Sequence, residues 1–265
     1  MNCVLKYPGA KWRIAPWIIE HFPRHHSYLE PFFGSGGVLF NKTRSDIETV
    51  NDMDGDVVNL FECIRSNPEK LSHIVHTTAY SRQAYNESYF RPPTEGKYGK
   101  ADQFLIRCNM GYGFRSGMAT VGWKNDVYGR ERAYAAKAWD AMPDVIMRVA
   151  DRLRGVQIEC ANAMELIPKF NKPDVLIYCD PPLCSLHSEW KTIRHEMTDS
   201  DHLGLLTVLK QHQGPALISG YDNSLYGEEL KDWYKQTVVT TNRRSQVRTE
   251  TLWMNFEPEE QLSFL

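Results

Sequence analysis

Five short apolar runs recur along the chain, and each gives way to a polar or glycine-bearing turn. Residues 27–40, "SYLEPFFGSGGVLF", open with a brief apolar strand, turn at Gly34-Ser35-Gly36-Gly37 and then predict the start of a helix. Residues 48–65, "ETVNDMDGDVVNLFECIR", predict a strand ending at Asn51-Asp52, then a helix with Val57, Leu60, Phe61 and Ile64 on one face. The runs "VQIECANAMELI" (156–167), "DVLIYCDPP" (174–182) and "PALISGYDN" (215–223) repeat the order of strand, then polar residue. Strands alternating with helices predict an α/β fold, a mostly parallel sheet with helices on both faces. Ligands of such sheets sit beyond the carboxyl ends of the strands, so Glu30, Asp52, Asn162, Asp180 and Tyr221 are expected to meet there.

Composition narrows the class. A chain of 265 residues with 42% hydrophobic content can bury one large core and carry a small subdomain besides. The formal net charge of -2 gives no global attraction to a polyanion, so a nucleic acid must be met by a local patch. Such a patch runs from Arg82 to Lys137, where ten Lys and Arg stand against five Asp and Glu among aromatics and glycines. Arg107, Arg115, Lys124, Arg130 and Arg132 are its candidate DNA contacts, with Arg243, Arg244 and Arg248 as a second basic group. A solvated insertion with ordinary charge scatter has the same counts, so both readings stand at this level. No apolar run approaches the roughly 18 residues of a membrane span, and the start, "MNCVLKYPGAK", lacks the order of a secretion signal, which favours the cytoplasm. The six cysteines are scattered without a Cys-x-x-Cys pair, so neither a structural metal nor a disulfide framework is expected.

The strand ends carry the candidate chemistry. Glycines at 34, 36 and 37 let backbone approach a ligand, yet the segment lacks both the Gly-x-Gly-x-x-Gly pattern and the Lys-Ser/Thr ending of a phosphate loop. Asp52, at the end of the following strand, stands where a carboxylate commonly accepts ribose hydroxyls. A nucleoside without phosphates fits both facts. Asp180 is followed by two prolines, which stiffen the backbone and remove competing N–H donors, so this corner presents acceptors only. An exocyclic amino group of a base donates two hydrogens and suits the Asp180 carboxylate with the Pro181 carbonyl. A plain turn after a strand is the other reading of Asp-Pro-Pro.

The ordered set "LKYPGAKWRIAPWI", "YLEPFFGSGG", "NDMDGD", "YCDPPL", "HEMTDSDH" and "LISGYDN" closely resembles the D12 class of N6-adenine DNA methyltransferases, over about Val4 to Asn255. The resemblance implies an S-adenosylmethionine-dependent, Rossmann-like catalytic domain over 1–65 and 150–265, with a helical target-recognition insertion over 66–149. It also implies a bacterial or phage-encoded enzyme that acts on double-stranded DNA and methylates an adenine flipped from the duplex. Matched residue by residue, Tyr7, Pro8, Gly9 and Lys11 fall on the amino-terminal cofactor motif; Glu30, Pro31, Phe32, Gly34, Ser35 and Gly36 fall on the turn around the methionine part. Asp52 falls on the ribose acid, and Asn162 and Ala163 fall beside the cofactor's adenine. Asp180, Pro181, Pro182 and Leu183 fall on the catalytic motif, with Asp180 also next to the sulfonium. Taken alone, Lys11 also fits a solvated loop lysine, and Tyr7 a ring packed beneath the sheet.

The match departs from the family's pattern in three places. Leu183 replaces an aromatic that stacks on the extruded base, Asn162 replaces a common aspartate, and no arginine stands near Ser188. The alternatives are therefore a DNA-binding relative impaired in methylation and an N4-cytosine DNA methyltransferase.

Overall fold

The computed structural model describes residues 3–112, 121–125, 134–182, 194–241 and 247–258. In chain order its elements are α1 (Ala15–Glu20), β1 (Ser27–Glu30), β2 (Ile47–Asn51), α2 (Gly55–Ser66), α3 (Pro68–Thr77), α4 (Arg82–Phe90), α5 (Gly96–Met110), α6 (Ala135–Asp140) and α7 (Met142–Arg152). There follow β3 (Val156–Glu159), α8 (Ala163–Leu166), β4 (Val175–Cys179), α9 (Asp199–Lys210), β5 (Ala216–Gly220), α10 (Ser224–Glu229), β6 (Tyr234–Thr241) and β7 (Val247–Met254).

The seven strands form one sheet in the order β3-β2-β1-β4-β5-β7-β6. β1 to β5 pair in parallel, whereas β7 pairs antiparallel with both β5 and β6. This is an α/β Rossmann-like fold, a mostly parallel sheet with helices on both faces. The order reverses between β1 and β4, and a crevice opens beyond the carboxyl ends of strands at such a switch.

Strand alternation feeds two cores. Leu176 and Tyr178 of β4 face a cluster with α1, α2, α3, α5 and α7, while Val175, Ile177 and Cys179 face a second cluster with α8, α9 and α10. Because both faces are covered, β4 reads as the continuous apolar run "VLIYC", buried throughout. The helices between 66 and 149 enter the first cluster through Leu71, Val75, Tyr85, Phe104 and Ile146, beside Leu60 and Phe61 of α2. The expected boundary at 149 falls inside α7, whose last turn lays Arg152 on Glu48 of β2.

One expectation is corrected here, and one element went unread. The helix predicted after the glycine turn does not form: Phe40 and Lys42 make single backbone bonds back to Gly36 and Val38, and the chain turns away. Val38, Leu39 and Phe40 are all buried, so the segment has no polar face to offer solvent. The antiparallel hairpin β6–β7 was not read from the sequence, because β6, "YKQTVVTT", is polar and at the sheet edge.

Candidate active site

The glycine turn is held by the strand beside it. Gly34, at φ +49°, donates its N–H to Asp52 Oδ2 at 2.8 Å, and Asp54 N–H donates to Asp52 Oδ1 at 2.8 Å. A Cβ on Gly34 would lie 3.3 Å from the Tyr7 ring, so glycine permits Tyr7 to close on the turn. Gly36 has the stronger demand: at φ +68° its Cβ would come within 2.3 Å of Phe40. Asn51 ties the next two strand ends together, donating to Pro31 O at 2.9 Å and Ala161 O at 3.0 Å and accepting from Ala161 N–H at 2.8 Å. Asn162 caps α8 by accepting the Met164 N–H at 2.9 Å.

These strand ends bound a cavity of about 480 Å³. Glu30, Asp52, Asn162, Asp180 and Tyr221 all line it, as do Tyr7, Pro8, Gly9, Lys11, Pro31, Phe32, Gly34, Ser35, Ala163, Pro181 and Pro182. Gly36 turns inward against Phe33 and Phe40 and does not reach it. Leu183 lies outside the described residues, as do Arg115, Arg130 and Arg132. Arg107 and Lys124 lie apart from the cavity. Arg107 donates to Ser88 O at 2.7 Å, and Lys124 donates to Asn109 O at 3.4 Å.

Burial sets the charges along the wall. Burial pushes the Glu30 carboxyl up to about 8 against the hydrogen bond it accepts from the Tyr28 hydroxyl at 2.8 Å, so Glu30 is largely a neutral acid at pH 7. Burial also raises Asp52, to about 6, although the N–H groups of Asp54 and Gly34 favour its anion. Burial raises the Tyr7 hydroxyl further, helped by Asp52 and Asp54, so it remains a neutral donor.

Lys11 is no solvated loop lysine. Its side chain is 12% exposed, with Nζ 2.9 Å from Asp180 Oδ1, 3.7 Å from Glu250 Oε2 and 3.2 Å from Gly9 O. Burial works against its charge, but Asp180 and Glu250 outweigh burial and raise its pKa. Ser219 Oγ donates to Asp180 Oδ1 at 3.0 Å and is 2.8 Å from the Tyr178 hydroxyl, which fixes the carboxylate from beneath. Tyr221, whose hydroxyl accepts from Arg248 at 2.7 Å, adds a flat ring to the same wall. Arg194 reaches back to Asp54 at 3.2 Å and Asp56 at 2.9 Å and lines the opposite side.

Glu250, Ser219, Asp54 and Arg194 were not identified from sequence. Glu250 had a signal: in "VRTETLWM" it shares the period-two face of Leu252 and Met254, which enter the core, and a charge on such a face needs a partner. Among the described residues no group of three metal-ligating side chains comes together, and no helix is long and apolar enough to cross a membrane.

The cavity at the switch point is thus walled by a glycine turn, the Asp52 carboxylate that holds it, and the Asp180 carboxylate on two prolines. The family model of the D12 class N6 adenine-specific DNA methyltransferases matches residues 7–247. The chain is 25% identical to the retron Ec67 DNA adenine methylase of Escherichia coli, covering 97% of this chain and 95% of that one. It is 23% identical to the DNA adenine methylase of Salmonella typhi (87% and 83% covered) and 24% identical to that of Haemophilus influenzae (94% and 91%). The chain belongs to the D12 class of N6 adenine-specific DNA methyltransferases.

Proposed function

We propose that the chain uses S-adenosylmethionine to methylate N6 of an adenine extruded from double-stranded DNA into the corner at Asp180-Pro181-Pro182-Leu183. The observation that carries this reading is the single cavity shared by the Gly34–Asp52 corner and the Asp180–Pro181 corner. The residues fit the cofactor. The volume is in the range of small-ligand sites, Phe32, Met164 and Pro181 supply apolar wall, and Asp52 keeps lone pairs for ribose hydroxyls. Glu30 is a neutral acid that an arriving ammonium would ionise. When bound, S-adenosylmethionine supplies a methyl group on a sulfonium. Asp180 and the Pro181 carbonyl accept the hydrogens of the target amine and orient its lone pair, so the chain acts by positioning. Lys124 and the basic residues outside the described ranges are the proposed phosphate contacts.

Cofactor at about a hundred times its dissociation constant should stabilise the fold by roughly 2.7 kcal/mol, and Asp52→Asn should remove most of the melting shift. An unmoved melting temperature with S-adenosylmethionine, alongside a rise with NAD, would sink the assignment. Nucleoside analysis of methylated DNA should find N6-methyladenine; N4-methylcytosine would point to the alternative acceptor.

Leu183 tests the impaired-enzyme alternative. Restoring a stacking ring with Leu183→Tyr should gain about 1–3 kcal/mol, or roughly ten- to a hundred-fold in single-turnover methylation. An unchanged or lower rate would mean that base stacking is supplied elsewhere, and Tyr221 is one of the rings already on the wall.

A further inference from the structure

We propose that Glu250 is a second berth for the Lys11 ammonium, which leaves Asp180 for Glu250 when the target base arrives. The inference rests on the reading of Asp180 as the acceptor of the target amine.

The corner is already claimed. Asp180 Oδ1 is bonded to Lys11 Nζ at 2.9 Å and to Ser219 Oγ at 3.0 Å. An ammonium there has three donors and no acceptor, so it competes directly with an amine for the same carboxylate. It also opposes transfer electrostatically, because positive charge develops on the amine nitrogen as the methyl group arrives, and a fixed cation beside it raises the barrier. Lys11 must give up Asp180, yet it cannot be left alone, since a buried ammonium without a partner is costly.

Glu250 meets that need. It enters from β7, where Thr251 pairs with Gly220 and so brings Glu250 to the level of Tyr221 and the end of β4. Its side chain is 11% exposed, and its Oε2 is buried with no hydrogen-bond partner among the described residues. That oxygen is 3.7 Å from Lys11 Nζ, just beyond hydrogen-bond reach. A shift of Nζ by about 1 Å turns this contact into a charge-assisted hydrogen bond of ordinary length while opening the bond to Asp180. Burial holds Glu250 toward its neutral form and Lys11 draws it toward the anion, so the approach of Lys11 stabilises the charge that receives it. Gly9 O, at 3.2 Å, can hold a second ammonium hydrogen through the move. Glu250 is thus a positioning residue that acts on the target amine only through Lys11.

The test is single-turnover methylation of unmethylated genomic DNA with labelled S-adenosylmethionine, using wild type, Glu250→Gln, Lys11→Met and the double variant. Glu250→Gln should slow transfer roughly ten- to a hundred-fold by leaving Lys11 on Asp180, with the cofactor-induced melting shift unchanged. In the Lys11→Met background the same substitution should have no further effect. A wild-type rate for Glu250→Gln overturns the proposal, and so does an equal fall in both backgrounds, which would make Glu250 a support of the fold. A crystal structure with duplex DNA and S-adenosylhomocysteine reads the berth directly, even where Lys11→Met is inactive. With adenine at Asp180, Lys11 Nζ should be bonded to Glu250, and a Lys11 still on Asp180 overturns the inference. Adenine held away from Asp180 overturns the Asp180 assignment itself.

Discussion

Asp180→Asn is expected to lower single-turnover methylation by about a hundred- to a thousand-fold, the scale on which one charge-stabilising group is lost from a reacting centre. The carboxylate stands where β4 ends, and Ser219 Oγ bonds it at 3.0 Å from β5, so its position does not depend on a bound ligand. Asparagine keeps the shape but offers one acceptor oxygen in place of two and turns an N–H₂ toward the amine. The fold should survive the change, because Lys11 retains Glu250 as a counter-ion and no buried charge is left uncompensated. Melting and circular dichroism close to wild type, with methylation nearly gone, are the expected pair of results. Activity within about ten-fold of wild type would exclude Asp180 as the acceptor.

Glu48→Gln should be the most destabilising single change outside the hydrophobic core. The Glu48 side chain is 3% exposed and receives Lys42 Nζ at 2.7 Å and two bonds from Arg152, at 2.6 and 2.8 Å. Removing one partner from such a buried group costs about 3–5 kcal/mol, because two cations remain without it. Arg152 also donates to Leu39 O at 3.0 Å, and Leu39 follows the glycine turn, so the loss should loosen the cofactor wall as well. Urea denaturation should show the fall in stability, and a loss below about 1 kcal/mol would mean that the cations find other partners. The pH dependence carries the sign of the network. Burial alone would raise the Glu48 carboxyl, but the bonds from Arg152 and Lys42 prevail and hold it below the usual range. Its contribution is therefore complete above its unfolded-state pKa and is lost as pH falls through the lower folded-state value. Wild type should lose stability through that acid window, and Glu48→Gln should lose less.

Short-range pattern accounts for much of the molecule. The runs at 27–30, 47–51, 156–159, 175–179 and 216–220 are the five parallel strands; β4, buried on both faces, leaves an uninterrupted apolar signature, whereas β3 at the sheet edge is largely exposed and alternates as Val-Gln-Ile-Glu. The polar residues ending those runs line one cavity because parallel strands of one sheet deliver their carboxyl ends to the same side. Asp52 and Asp180 were legible for that reason, as strand-end carboxylates in a motif. Where packing outweighed local preference, pattern misled: residues 38–40 are buried on all sides and make a single turn where a helix was expected.

Only the tertiary structure could put Lys11, Asp180 and Glu250 together. They come from an amino-terminal loop, the end of a central strand and a carboxyl-terminal antiparallel strand, and no local spacing relates them. Their meeting depends on the sheet order, which inserts β7 beside β5 and so carries Glu250 to the mouth of the crevice. The cost of a buried ammonium then dictates which carboxylates it must face, and that cost exists only once the strands have closed around it.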